Sequence, residues 1–223
     1  MADDYKWETR MTQAIGPAIL YITDGSFADA VVDRWSESRP AGLRLPLDAA
    51  FMPWRWPYVD AIVLVTAAPA DDAANMLDEI CATTRIKWMP VAMDEARIFV
   101  GPAVSPGISA SFDCFLRRGR QHARFALDRG LPRGVDLGYA PHDVALTAAL
   151  AEQSLAGLLC DDVDVMGTVV EVDLVTGLVQ RSRVIPVNNS PRRKSSHHSQ
   201  SSPEEIGAAL HLARQPVELS RRN

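Results

Sequence analysis

The feature that most constrains the fold is a continuous apolar run at residues 60–67, DAIVLVTA. The run lacks the polar alternation of a strand that has one face in water. It is typical of a central strand in a parallel sheet, with helices covering both faces. The chain has 223 residues, of which 47% are hydrophobic, and this is enough for one domain with a sizeable core. We therefore predict a single α/β domain built around this strand.

Strands and helices alternate along the first hundred residues. Short apolar runs and helical spacing predict strands at 18–23, 43–47, 87–93 and 97–100, and helices at 27–38 and 73–83. Ser26 follows an Asp-Gly turn, and we expect its side chain to cap the first helix. This order predicts a Rossmann-like mixed sheet with flanking helices.

The second half of the chain predicts two more helices and a C-terminal β-hairpin. The helices are predicted at 112–127 and 142–159, separated by a Gly/Pro-rich loop, and the hairpin strands at 166–173 and 178–186. Close-spaced alanines in the later helix favour packing against another helix or a second copy. We expect an N-terminal arm at 1–17, an α/β domain at 18–187, a disordered linker at 188–203 and a C-terminal tail at 204–223.

Residues 98–121, IFVGPAVSPGISASFDCFLRRGRQ, predict a strand, two Pro-Gly turns and a helix that leave an edge of the sheet. Cys114 stands at the start of this helix. Its favoured interpretation is a small buried hydrophobe. The alternative is a nucleophile, because Arg117, Arg118 and the helix N-terminus lower the pKa of a nearby thiol. His122 lies two turns along the same predicted helix, so it does not supply an adjacent base.

Two groups of residues are candidates for a partner interface. The first is a basic run, Arg117, Arg118, Arg120 and Arg124, which is either a solvated helix face or a docking face for an acidic partner. The second is Trp54 and Trp56, in the proline-rich segment 51–58. Their segment is predicted to be a loop, and the tryptophans either fold over the core or form an exposed patch.

Charge and composition exclude several classes of function. A net charge of −5 gives no support for nucleic acid binding. The N-terminus does not look like a signal peptide, and no apolar run is long enough to span a membrane. The three cysteines are far apart, which favours a reducing, cytoplasmic setting over a disulfide framework. No usual metal-ligand spacing is present, so we expect no metal and assign no catalytic residue.

The turn after the first predicted strand, TDGSFA at 23–28, bears on nucleotide binding. Dinucleotide-binding turns use three glycines so that the backbone approaches the pyrophosphate. Here there is one glycine, Phe27 stands where a small residue is needed, and Asp24 adds negative charge. No Walker-type glycine-rich motif occurs either, so we expect no nucleotide cofactor.

Three segments carry a family resemblance. They are residues 60–93 with their WMPV ending, the Gly-Pro…Pro-Gly…Cys114…Arg117 segment, and GTVVEVDLVTG at 167–177 with VIP at 184–186. Together they resemble the ThiF-like, ubiquitin-activating-enzyme-like partner proteins of YcaO-type azole cyclodehydratases, which serve ribosomally synthesised, post-translationally modified peptides. The resemblance covers residues 18–190. It implies a non-catalytic cytoplasmic subunit, homodimeric or heterodimeric, that presents a precursor peptide to a separate modifying enzyme or activates that enzyme.

The chain departs from this family in two respects. The family holds a structural zinc with two CxxC motifs, but SFDC and VNNSP stand at 111–114 and 187–191, so three of four ligands are missing. About sixteen residues precede the first predicted strand. We expect these to be too few for the family's winged-helix unit. The precursor peptide is then a partner either directly or through a separate leader-binding protein. The alternatives are a cysteine-dependent α/β enzyme using Cys114 and an intact nucleotide-binding ThiF-like adenylyltransferase.

Overall fold

The computed structural model describes residues 17–37, 42–94, 96–121 and 138–187. These residues form a seven-stranded mixed sheet with helices on both faces. The predicted Rossmann-like mixed sheet with flanking helices and a C-terminal hairpin is therefore confirmed. The elements are β1 (Ile19–Asp24), α1 (Ser26–Ser36), β2 (Leu43–Pro46), β3 (Ala61–Thr66), α2 (Asp71–Thr84), β4 (Lys87–Asp94), β5 (Arg97–Val100), α3 (Phe112–Gln121), α4 (Pro141–Leu159), β6 (Thr168–Asp173) and β7 (Leu178–Arg183).

The strand order is β2-β1-β3-β4-β5-β6-β7. Strands β2, β1, β3 and β4 run parallel to one another, and β4 through β7 pair antiparallel in succession. Strand β5 lies between β4 and β6. The expectation that residues 98–121 leave an edge of the sheet is therefore wrong, because the C-terminal hairpin returns to pair beside β5.

The core has two parts, one on each face of the sheet. On one face, Val63 and neighbouring side chains pack against α1 and α4. On the other face, Leu64 belongs to a cluster that includes Trp88 and residues of α2 and α3. All six residues of β3 are buried, which explains the continuous apolar run. The alanines of α4 include Ala148 and Ala151, which pack within this chain against the α1 layer.

The start of α1 differs from the prediction. Ser26 is the first helical residue, Gly25 occupies the cap position with φ of 90°, and no side chain caps the helix. The sequence interpretation was wrong because the chain turns one residue earlier, at a positive φ that glycine adopts at little cost.

Other element ends shift by a few residues. Residues 122–127, predicted to continue α3, and the boundaries at 188 and 204 lie outside the described residues. Segment 51–58, predicted to be irregular, contains one 3-10 turn at Pro53–Arg55. In the described part of the chain, no helix is both long enough and apolar enough to cross a bilayer.

Candidate functional site

The start of α3 and the chain just after β7 meet at Cys114. This side chain is 2% exposed. Its Sγ accepts hydrogen bonds from the Val187 backbone N–H and from the Ser111 hydroxyl, both at 3.4 Å. The Ser111 Oγ in turn accepts the Cys114 backbone N–H at 3.3 Å, so it satisfies one of the free amides at the helix start. These bonds join α3 to the end of the C-terminal hairpin.

The surroundings of Cys114 do not resemble a structural zinc site. The Cys114 thiol bonds to the Ser111 hydroxyl, and Asp78 and Ser109 line the same hollow, whereas structural zinc sites use four Cys or His ligands. Among the described residues, no three His, Cys, Asp or Glu side chains lie close enough together to hold a metal ion. The donor set at Cys114 therefore does not fit zinc, and hydrogen bonds and packing hold the junction.

We expect Cys114 to be protected from alkylation in the folded protein. Burial and two donated hydrogen bonds hide its sulfur, whereas Cys160 is exposed and provides an internal control. Iodoacetamide labelling followed by mass spectrometry should modify Cys160 first and Cys114 only in denaturant. Labelling of Cys114 as fast as Cys160 would support the nucleophile interpretation instead.

Helix α3 is oriented by Asp78 of α2. This carboxylate is 2% exposed and accepts the indole Nε1–H of Trp88 at 3.1 Å and the backbone N–H of Asp113 at 3.3 Å. The bond to Asp113 satisfies a free amide in the first turn of α3 and places a negative charge at its N-terminus. One buried side chain thereby ties α2, β4 and α3 together. Asp78 does not stand out in the sequence, because its spacing in α2 looks like that of any surface acid.

The arginines of α3 do not share one face. Arg117 is ion-paired with Asp113 at 2.9 Å, four residues earlier. Arg118 turns toward the hairpin, where its Nε donates to the Ile185 carbonyl at 3.4 Å. Arg120 is exposed and lies near Asp71. Burial raises the pKa of Asp71, and the Arg120 charge opposes that shift. Arg124 lies outside the described residues.

The two tryptophans of the proline-rich segment play different roles. Trp54 is 77% exposed and has two exposed apolar neighbours in the chain, Met52 and Tyr58. Trp56 is half-buried and packs against the core cluster on the α2 side. Trp54 therefore agrees with the interpretation of an exposed side chain, and Trp56 agrees with the interpretation of a side chain folded over the core.

A groove of about 240 Å³ lies between α3 and the β6–β7 hairpin. Its apolar lining includes Phe115, Val169 and Val184, and its charged lining residues are Arg118, Glu171 and Arg183. No sequence pattern indicates this groove, because it depends on α3 lying over the hairpin.

A second hollow, of about 40 Å³, lies near the carboxyl ends of β3 and β4. It is lined mainly by apolar side chains, with Phe99 and Phe112 among them, and Asp71 is part of its wall. It is the smaller of the two spaces.

The first turn of α1 is packed with aromatic rings. Phe27 is fully buried, and its ring meets that of Tyr139 edge-on at a centroid distance of 5.5 Å. The Tyr139 hydroxyl donates to the Ser26 carbonyl at 3.2 Å. In dinucleotide-binding folds the equivalent turn has small residues, so that the pyrophosphate reaches the helix N-terminus. Tyr139 was missed by the sequence analysis because it lies more than a hundred residues away along the chain.

No family model matches the sequence, and no curated protein matches it. Solved structures do share the fold. A heterocyclase in complex with substrate and cofactor aligns with a TM-score of 0.59 and 13% identity, covering 79% of this chain and 25% of that chain. The heterocyclase TruD aligns with a TM-score of 0.58 and 11% identity, and the alignment covers 92% of this chain and 30% of TruD. A chain of the E. coli microcin synthetase McbBCD complex aligns with a TM-score of 0.59 and 14% identity, and the alignment covers 79% of this chain and 69% of that chain.

This chain thus spans 25% and 30% of the two heterocyclase chains, and about two thirds of the microcin synthetase chain. At these identities the likeness concerns the fold.

Proposed function

We propose that the chain is a non-catalytic, ThiF-like subunit in the maturation of a ribosomally made peptide of the thiazole/oxazole type or a related type. In this role it presents the precursor peptide to a separate YcaO-type modifying enzyme, or activates that enzyme. The observation that carries the proposal is the shared fold with heterocyclase and microcin synthetase chains. The family resemblance of residues 18–190 supports the same assignment.

The aromatic first turn of α1 supports a non-catalytic role. An adenylating relative needs its helix N-terminus and a small-residue turn to hold phosphates. Here that turn carries Phe27, whose ring is buried in the core with Tyr139 packed on it, and Asp24 stands at the end of the preceding strand. These features disfavour a bound triphosphate.

The position of Cys114 also favours a subunit without its own covalent chemistry. Its sulfur is 2% exposed and already accepts two hydrogen bonds. A nucleophilic thiol needs a route for substrate and an oriented base. No basic side chain is among the hydrogen-bond partners found for Cys114 in the described residues.

Reconstitution with the neighbouring genes' products tests the proposal. Precursor peptide, ATP/Mg²⁺ and the YcaO-type enzyme are incubated with and without this chain, and ring formation is followed as loss of water by mass spectrometry. We expect product formation to depend on this chain, which alone should neither hydrolyse ATP nor bind it in calorimetry. Cys114→Ser serves as the control and should support the same yield.

Two results would contradict the proposal. In one, the chain forms an adenylate or consumes ATP by itself. In the other, the modifying enzyme works equally well without it.

A further inference from the structure

Strand β7 has an open edge. Among the described residues it is the last strand in the sheet order, it pairs only with β6, and all six of its residues are exposed. The opposite edge strand, β2, has four residues, ends at Pro46, and carries Arg44 in an ion pair with Asp33 at 2.6 Å. Short length and proline are common ways of blocking an edge. Strand β7 is longer and contains no proline.

The hydrogen-bond pattern shows which groups of β7 point outward. The Val184 N–H donates to the Gly167 carbonyl at 2.8 Å, so residue 184 faces β6. In an antiparallel ladder the inward and outward residues alternate. Val179, Arg181 and Arg183 therefore direct their backbone N–H and C=O groups away from β6. A strand added to this edge would bond to these three residues.

The outward edge is basic on one face of the sheet. Arg181 pairs with Val170, and Val179 with Val172. Both valines of β6 belong to the core on the α4 side. Side chains alternate across a strand, so Arg181 and Arg183 lie on that same side. Acidic residues at alternate positions of an added strand would meet these arginines.

The other face of the edge borders the groove beneath α3, whose lining is mainly apolar. Ser182 of β7 pairs with Val169 of β6, and both line the groove beneath α3. Phe115 and Val184 extend the apolar lining of this groove. Alternate side chains of an added strand would project over this groove, on the side opposite Arg181, and Arg118 and Arg183 border the groove.

The positive charge at the β7 edge indicates which kind of segment would pair with this strand. Arg118, Arg181 and Arg183 have no ion-pair partner in the described residues. The nearby acids are engaged elsewhere: Glu171 pairs with an arginine of β5 at 3.2 Å, and Asp173 accepts two turn amides at 2.9 Å. This local positive charge stands out in a chain of net charge −5. Pairing with a second copy would bring a second set of arginines to the same edge.

We propose that β7 binds an extended peptide segment of alternating acidic and apolar residues as an additional strand. Main-chain hydrogen bonds supply affinity, and the arginines and the groove supply selectivity. The inference rests on the proposed function, in which a precursor peptide must be held beside the modifying enzyme. In this role the edge of β7 is the surface that holds the peptide, and alternating acidic and apolar residues are the segment it holds.

Fluorescence anisotropy with a labelled peptide of alternating Glu and Val tests the inference. The same peptide with Lys in place of Glu is the charge control. Val179→Pro removes one outward N–H and leaves the β6–β7 bonds intact, because that N–H points away from β6. We expect the Glu peptide to bind, the Lys peptide to bind at least about tenfold more weakly, and Val179→Pro to weaken the Glu peptide about tenfold. Val179→Ala, which keeps the N–H, should bind nearly as well as wild type.

The inference is overturned if the Glu peptide does not bind or both peptides bind equally. It is also overturned if a folded Val179→Pro variant, checked by circular dichroism, binds as wild type. A dimer that Val179→Pro converts to a monomer would assign the edge to a second copy instead. The proposed function fails separately, through reconstitution. If the chain stimulates the modifying enzyme but β7 variants do not change peptide binding, the proposed function stands and only the assignment of β7 as the peptide-binding edge is wrong.

Discussion

Replacing Trp88 with alanine is expected to lower the free energy of unfolding by about 3–5 kcal/mol. The indole is fully buried, lies 5.8 Å from the Phe112 ring, and donates to Asp78 at 3.1 Å. Its removal leaves a large cavity between β4, α2 and α3, and it leaves the Asp78 carboxylate without one of its donors. Urea denaturation followed by circular dichroism gives the difference.

Two variants separate the causes of this loss. Trp88→Phe keeps most of the packing but removes the N–H, and we expect it to cost less than the alanine variant. Trp54→Ala removes the same type of side chain at a position that is 77% exposed, and its effect should stay within about 0.5 kcal/mol. If Trp88→Ala were as mild as Trp54→Ala, the junction of α2, β4 and α3 would not be the main support of α3.

Replacing Gly101 with alanine is expected to destabilise the fold by about 2–5 kcal/mol, from a positive-φ cost of about 1–2 and overpacking of about 1–3. Gly101 has φ of 103°, and an added Cβ would collide with the Thr168 carbonyl oxygen of β6. This carbonyl accepts the Ala103 N–H at 3.1 Å, so the backbone there is held in place. Thermal and urea unfolding measure the effect.

Two other glycines make a graded control for Gly101. Gly177 has φ of 70° with no atom near an added Cβ, so alanine there should cost about 1–2 kcal/mol. Gly138 has open space and no positive φ, and its alanine variant should change stability little. A Gly101→Ala variant no worse than Gly177→Ala would show that the chain after β5 yields to the added methyl group.

Predictions from sequence succeeded where local pattern dictates burial. The run at 60–67 had to be covered on both faces, and β3 is buried throughout. The hairpin was predicted because alternation and a Thr-Gly turn occur together, and β6 and β7 pair around that turn. The start of α1 was misjudged because Gly25 and Ser26 both suit a cap, and the backbone φ decided between them.

The candidate site was predicted only in part. Cys114 was identified as a position of interest and its favoured interpretation was burial, which agrees with its 2% exposure. The arginine run was treated as one face, whereas Arg117 is ion-paired within α3, Arg118 bonds to the chain after β7, and Arg120 lies near the start of α2. Consecutive charged residues on a helix point in different directions, so their common sign did not make them a common surface.

The sequence by itself determined which segments are strands and helices and which of their sides are apolar, because these follow from local periodicity. Only the tertiary structure decided that β5 lies inside the sheet, that Tyr139 packs on Phe27 and that Val187 donates to Cys114. It also decided that β7 is the last strand of the sheet among the residues that the structure describes. Each of these joins residues far apart in the chain. Many pairings satisfy the same local pattern, and only packing of the whole domain selects among them.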